Sequence, residues 1–247
     1  MTVASLDLLD RLVAFPTVSS APNRDLVAFV VAFLAARGIE ATLVPNAEGT
    51  KANLFATVGP KDRGGVMLSG HTDVVPVEGQ AWSGDPFRLR DLGGRLTARG
   101  TTDMKGFLAC ALAAADRAAR MTLATPLHLA FSHDEEIGCV GVRSLLDAMA
   151  TAPFRPEMAI VGEPTSMRVA TGHKGKTALR ALCCGREAHS ALAPTALNAI
   201  HLACAYVEKI RARQAALARD GARDPAYDVP YTTLHVGRIG GGTALNI

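Results

Sequence analysis

Val66-Met-Leu-Ser-Gly-His-Thr-Asp73 reads as a short apolar strand that stops at a histidine, with an aspartate two residues further on. The arrangement recurs along the chain. Leu127-His-Leu-Ala-Phe131 runs on to Glu135 and Glu136, and Met158-Ala-Ile-Val161 runs through Gly162 to Glu163. Asp103 stands just ahead of an Ala-rich stretch with strong helix propensity. In an open α/β sheet, the loops at the carboxyl ends of the strands converge on one crevice beside the helix N-termini. Four separate loops therefore bring His71, Asp103, Glu135, Glu136 and Glu163 to one edge. Strands alternating with helices in this way predict an α/β fold with a largely parallel sheet.

Working outward, Ser5 is placed to cap a helix over 5–15. Asn23 is placed to cap a second, whose Leu26, Val27, Val30, Phe33 and Leu34 keep helical spacing up to Gly38. Extended segments are expected at 40–44, 53–58, 66–69, 127–131 and 158–161, and helices at about 104–121 and 140–149. After Lys174-Gly175 the pattern changes to a strand over 177–183, a helix over about 195–213 that buries Ile200, Ala203, Val207 and Ile210, and a strand over 231–238. These elements give a metal-binding catalytic domain over 1–175 and a partial α+β lid over 176–247. Two strands and one helix make a thin core for an independent unit.

The 247 residues are 49% hydrophobic and 5% aromatic, with a formal charge of +3. Neither a basic footprint nor stacking platforms for nucleic acid are suggested. The Arg-rich stretch over 211–223 contains Asp220 and reads as a solvated helix end. Five scattered cysteines with no C-x-x-C pair read as reduced core residues. The N-terminal stretch lacks a basic region followed by an apolar one, and no run reaches membrane-spanning length, so the expectation is a cytoplasmic protein with neither membrane nor nucleic-acid partners.

Carboxylates gathered in a desolvated cleft repel one another and are driven to protonate unless cations join them. Two zinc ions carry +4. Asp103, Glu136 and Glu163 supply −3 and a hydroxide −1, so a dinuclear centre completed by neutral His71 is balanced. Asp73 fits as the acceptor of the other imidazole N–H, fixing the tautomer. Of the adjacent Glu135 and Glu136, one can bind metal while the other faces the attacking water as general base and later protonates a leaving amine. Amide hydrolysis follows.

Taken singly, each residue has a plainer reading: Asp103 and Glu163 as turn or cap residues, Glu135-Glu136 as a solvated pair. His128 and His201 read as structural, and His133 is a weak ligand candidate on its position alone. Residues 170–177 end like a phosphate-binding loop, but Ala170 stands where the first glycine is required and no long helix follows at once. The glycines at 240–242 are a turn signal.

Ser69-Gly-His-Thr-Asp-Val-Val-Pro76, Gly100-Thr-Thr-Asp-Met-Lys-Gly106, Asp134-Glu-Glu136 and Gly162-Glu-Pro-Thr165 resemble, in order and spacing, the dinuclear-zinc deacylase and exopeptidase family. That family comprises acetylornithine deacetylases, succinyl-diaminopimelate desuccinylases and glutamate carboxypeptidases. Trp82-Ser-Gly-Asp-Pro-Phe87, His173-Lys-Gly175 and Val229-Pro-Tyr-Thr-Thr-Leu-His-Val-Gly237 are similar to its acetylornithine-cleaving branch. The resemblance implies two Zn2+, with Co2+ a possible substitute. His71 and Glu163 would hold one ion and Glu136 the other, with Asp103 bridging, Glu135 as base, Asp73 orienting His71 and a cis peptide after Asp103.

It also implies a lid histidine, His189, that stabilises the oxyanion, often across a homodimer interface. Asn246 matches a lid asparagine linked to substrate binding. The implied reaction converts N-acetylornithine to acetate and ornithine. The alternatives are a desuccinylase, a broader N-acyl-amino-acid hydrolase, or a non-catalytic homologue that binds metal or a partner subunit. The family pattern further implies more lid and one more histidine ligand beyond Ile247, so the chain reads as C-terminally truncated.

Overall fold

The computed structural model describes residues 3–152 and 155–247, which divide into two compact units, Met1–Thr171 and Gly172–Ile247. In the first unit, β1 (Ala41–Pro45), β2 (Ala52–Val58), β3 (Val66–His71), β6 (Leu127–Ser132) and β7 (Met158–Val161) form one sheet in the order β1-β2-β6-β3-β7. The fold is α/β, as expected, but the sheet is mixed. β6, β3 and β7 run parallel, whereas β1 and β2 join antiparallel. The parallel part is the part that carries the site. A small hairpin, β4 (Arg90–Asp91) and β5 (Leu96–Thr97), stands apart from this sheet.

Helices α1 (Val3–Val13), α2 (Arg24–Ala35) and α3 (Gly106–Ala118) cover one face. Leu9 and Leu12 of α1, Leu26, Val30 and Leu34 of α2, and Leu108, Leu112 and Ala115 of α3 meet Leu54, Ala56, Leu129 and Phe131 of the sheet in one core. The helical spacing of these positions is what puts them on one stripe. Successive strand residues face opposite ways. Asn53, between Ala52 and Leu54, accordingly reaches the Gly141 carbonyl at 2.8 Å, at the start of α4 (Val142–Ala150), which covers the other face.

Both expected helix caps at the N-terminus are corrected. Ser5 lies inside α1. Asn23 does precede α2, but its side chain makes no cap bond. Instead it donates to the Ala52 carbonyl and the Thr72 hydroxyl and accepts from the Ala52 amide. A buried amide satisfied on both its oxygen and its nitrogen ties α2 to β2 and to the site more firmly than one exposed cap bond would. Gly38, at φ +70°, lets the chain leave α2 and return Ile39 to the core.

The cysteines are not core residues. Cys110, Cys139, Cys184 and Cys204 are exposed, Cys183 is half-buried, and none is in a disulfide. Cys110 illustrates why: the buried face of α3 is set by Leu108, Ala109, Ala111 and Leu112, and position 110 points away from it.

The second unit is built on α5 (Ala199–Asp220), capped by Asn198, whose Oδ1 accepts from the amides of Ile200 and His201. The stripe expected on this helix is half-buried at Ala203, Val207 and Ile210 and exposed at Ile200. The strands expected over 177–183 and 231–238 are absent among the described residues. Leu179 and Leu182 stand 89% and 80% exposed, and residues 234–239 lie along α5 instead. A strand exists only through its ladder partners, and here neither segment finds one.

Candidate metal centre

β3 delivers His71 to the carboxyl edge of the sheet with its side chain 1% exposed. Nδ1 lies 2.8 Å from the Asp73 carbonyl oxygen and 3.5 Å from Asp73 Oδ1. A carbonyl can only accept, so Nδ1 carries a hydrogen and Nε2 is turned toward the acidic groups. Asp103 Oδ1 is 2.9 Å from Nε2, Glu163 Oε1 3.7 Å and Glu135 Oε2 3.8 Å.

Each carboxylate arrives on its own support. Asp103 sits in the turn Thr101–Lys105, entered through Gly100 at φ +82°; Asp103 itself is extended and joined to Met104 by a cis peptide bond. Glu163 follows Gly162, whose amide donates to the Ser69 carbonyl at 3.1 Å. A Cβ on Gly162 would stand 2.0 Å from the Phe107 ring, so only glycine lets β7 pass α3 at this height. Glu135 and Glu136 follow β6 through Asp134, at φ +56°.

Asp73 organises the last of these loops. Its Oδ1 accepts from the Glu135 amide at 3.0 Å, and its Oδ2 from the Glu136 amide at 3.2 Å and the Ser19 hydroxyl at 2.7 Å. Burial alone would raise the Asp73 pKa, but hydrogen bonds from His71, Ser19 and the Glu135 amide lower it to about 2. The carboxylate therefore adds stability that is present above its ordinary value of 3.8 and lost as pH falls toward 2. Asp73→Asn would set an NH2 group against amide donors. In urea unfolding of the metal-free chain it should cost about 2 kcal/mol at pH 7 and flatten the loss of stability between pH 4 and pH 2. Equal acid limbs for the two proteins would refute this.

Burial lowers the His71 pKa, but hydrogen bonds to Asp103 and Asp73 and the charges of Asp73 and Glu163 outweigh it and raise it to about 10. Burial also raises Glu136 and Glu163; nearby carboxylates add to this, and His71 partly offsets it. The cluster is thus short of positive charge, and its donors suit a divalent ion. The ligand atoms of His71, Glu135 and Glu163 lie within 4.8 Å of one another, as do those of His71, Asp103 and Glu136. Binding a cation at Nε2 would displace its proton.

His71, Asp73, Asp103, Glu135, Glu136 and Glu163 are therefore together. His189 and Asn246 belong to the second unit, where His189 Nδ1 accepts from the Ala191 amide and the Ser190 amide donates to the Asn246 carbonyl at 2.9 Å. Sequence reasoning passed over Ser19, Lys51 and Lys105. Lys105 is fully buried with Nζ 2.6 Å from the Phe15 carbonyl, and burial, partly countered by the charge of Asp73, lowers its pKa to about 7. A lysine inside the D-M-K-G run, beside a metal-ligand candidate, was the available signal.

The profile described as peptidase family M20/M25/M40 matches residues 67–238, which span the central strand, all the acidic loops and α5. The chain belongs to this family. Relatives include the acetylornithine deacetylases of Pasteurella multocida (strain Pm70) and Proteus mirabilis (strain HI4320), each 34% identical to this chain. The alignments cover 98% of this chain and 64% and 63% of those proteins. The chain thus spans just under two thirds of the length of these curated relatives.

Among solved structures, a tripeptidase from Staphylococcus aureus matches with TM-score 0.57 at 17% identity, over 98% of this chain and 62% of that one. An M20 family metallo-carboxypeptidase, Sso-CP2 from Sulfolobus solfataricus, matches with TM-score 0.56 at 21% identity, over 64% of this chain and 37% of that one. These two show the shared fold. Among the described residues, no helix is long and apolar enough to cross a membrane.

Proposed function

We propose that this chain carries the catalytic centre of a zinc-dependent amidohydrolase that cleaves N2-acetyl-L-ornithine to acetate and L-ornithine, in the cytoplasmic synthesis of arginine. The observation that supports it most is the convergence of four carboxylates on one buried imidazole. The names of its relatives support the choice of substrate.

In this reading His71 and Glu163 would hold one zinc ion and Glu136 the other, with Asp103 contributing to both, and cobalt could substitute. Metal held by these residues would supply Lewis acidity toward the acyl carbonyl and the attacking water. Glu135, 34% exposed at its side chain, takes the proton from the attacking water and passes it to the departing nitrogen. Asp73 keeps the His71 ring and the Glu135-Glu136 loop in register. His189 donates to the oxyanion, and the second unit pairs two subunits of a homodimer.

The reading is tested by loading the chain with zinc and following amine release from N-acetylornithine and from N-succinyl-diaminopimelate. At least tenfold faster release of ornithine is expected. A preference for the succinyl substrate would reassign the specificity within the family. No release of either amine by a folded, metal-loaded chain would leave hydrolysis to a longer protein and this chain as a metal-binding homologue.

A further inference from the structure

Lys51 ends the turn that leads into β2. Asn46 shapes this turn, accepting from the Lys51 amide at 2.9 Å and donating its own amide to the Lys51 carbonyl. From there the ammonium group enters the protein. Nζ donates to Asp134 Oδ1 at 2.5 Å and to the backbone carbonyl of Ser19, with the side chains of Lys51 and Asp134 each only 12% exposed. The two partners are not equivalent. Asp134 opens the Glu135-Glu136 loop in a left-handed conformation, φ +56°, and its other oxygen lies 3.0 Å from His133 Nδ1. Ser19 holds Asp73 through its hydroxyl, and Asp73 holds the amides of Glu135 and Glu136.

These contacts close a ring: Lys51 to Asp134, along the chain to Glu135 and Glu136, across to Asp73, on to Ser19, and back to Lys51. We propose that Lys51 is a positioning residue that fixes the Glu135-Glu136 loop by holding Asp134 and Ser19 at once. Two physical costs need it. A non-glycine residue at positive φ is strained and persists only where neighbours over-determine it. The Asp134 carboxylate, on a side chain only 12% exposed, is also costly to bury without a cation beside it. One ammonium offsets that burial cost while making two directed bonds. Arginine can preserve both roles; methionine, of similar length and no charge, can preserve neither.

The proposal rests on the metal-centre reading only for its metal arm. Amide exchange is compared, residue by residue, in the metal-free full chain and its Lys51→Met, Lys51→Arg and Asp134→Asn variants, and Co2+ affinity is then titrated in each. In Lys51→Met, exchange at Glu135 and Glu136 should rise at least tenfold while α3 keeps its protection, and Lys51→Arg should recover most of it. Co2+ affinity should fall roughly 10–100-fold with the loop.

Unchanged exchange at the two glutamates in folded Lys51→Met overturns the proposal. So does a rise spread equally over α3, which would make Lys51 a general stabiliser. If Lys51→Met does not fold, Asp134→Asn carries the same test, and no local rise there overturns it. If the wild-type chain binds no Co2+, the metal reading fails, and the exchange comparison alone decides the role of Lys51.

Discussion

Glu135→Gln is expected to reduce amide hydrolysis by roughly 10²–10⁴-fold, the range lost when a positioned general base is removed, while zinc or cobalt affinity stays within a few-fold. Two carboxylates are adjacent in this loop, and their surroundings differ. Glu135 Oε1 accepts from the Cys139 thiol at 3.3 Å, and its Oε2 stands 3.8 Å from His71 Nε2. Glu136 groups with His71 and Asp103, and its raised pKa reflects burial first and the nearby charge of Asp103 next. Glutamine keeps the shape and one acceptor oxygen of Glu135 but cannot take a proton. Steady-state kinetics beside metal titration separate the roles. A fall in metal stoichiometry equal to that of Glu136→Gln would make Glu135 a ligand instead.

His71→Ala should have the largest effect of all, because the carboxylates of both donor groups gather around its imidazole. Metal affinity should fall by at least about 10²-fold, with hydrolysis lost alongside it. The metal-free chain should also lose about 2–3 kcal/mol. That is less than the full cost of breaking a buried ion pair, since the Asp103 side chain is 44% exposed. The pH dependence gives the sign. The His71 pKa is raised from 6.5 to about 10, so its stabilisation is fully present below pH 6.5 and is lost as pH rises through 10. The gap between wild type and His71→Ala in urea unfolding should close over that range; a gap that widened with pH would contradict the assignment.

The parts of this protein written in local chemistry could be read before folding. Val66–His71 and Met158–Val161 are apolar runs that end at polar residues, and both are strands with His71 and Glu163 at the same edge. Leu26, Val27, Val30 and Leu34 announced a buried helical stripe. What depended on distant partners could not be read. Asn23 carries every mark of a helix cap and is spent on β2 and Thr72. The segments over 177–183 and 231–238 have strand composition without strands beside them. Ser19 and Lys51 sit in loops with no periodicity, and their meaning comes from Asp73 and Asp134, 54 and 83 residues away.

The register of the three parallel strands carries one more consequence. Val66 pairs with both Leu127 and Met158, and the ladder holds unbroken until the Thr72 amide meets the Ser132 carbonyl and the Gly162 amide meets the Ser69 carbonyl. The sheet thus works as a ruler that sets the height of His71, the Glu135-Glu136 loop and Glu163 together. Deleting one residue within 66–71 or 127–132 would turn the following side chain to the opposite face. A gap in an alignment of homologues should therefore fall in the hairpin region around 77–95, where length is cheap, and a homologue gapped inside either strand is expected to bind metal more weakly.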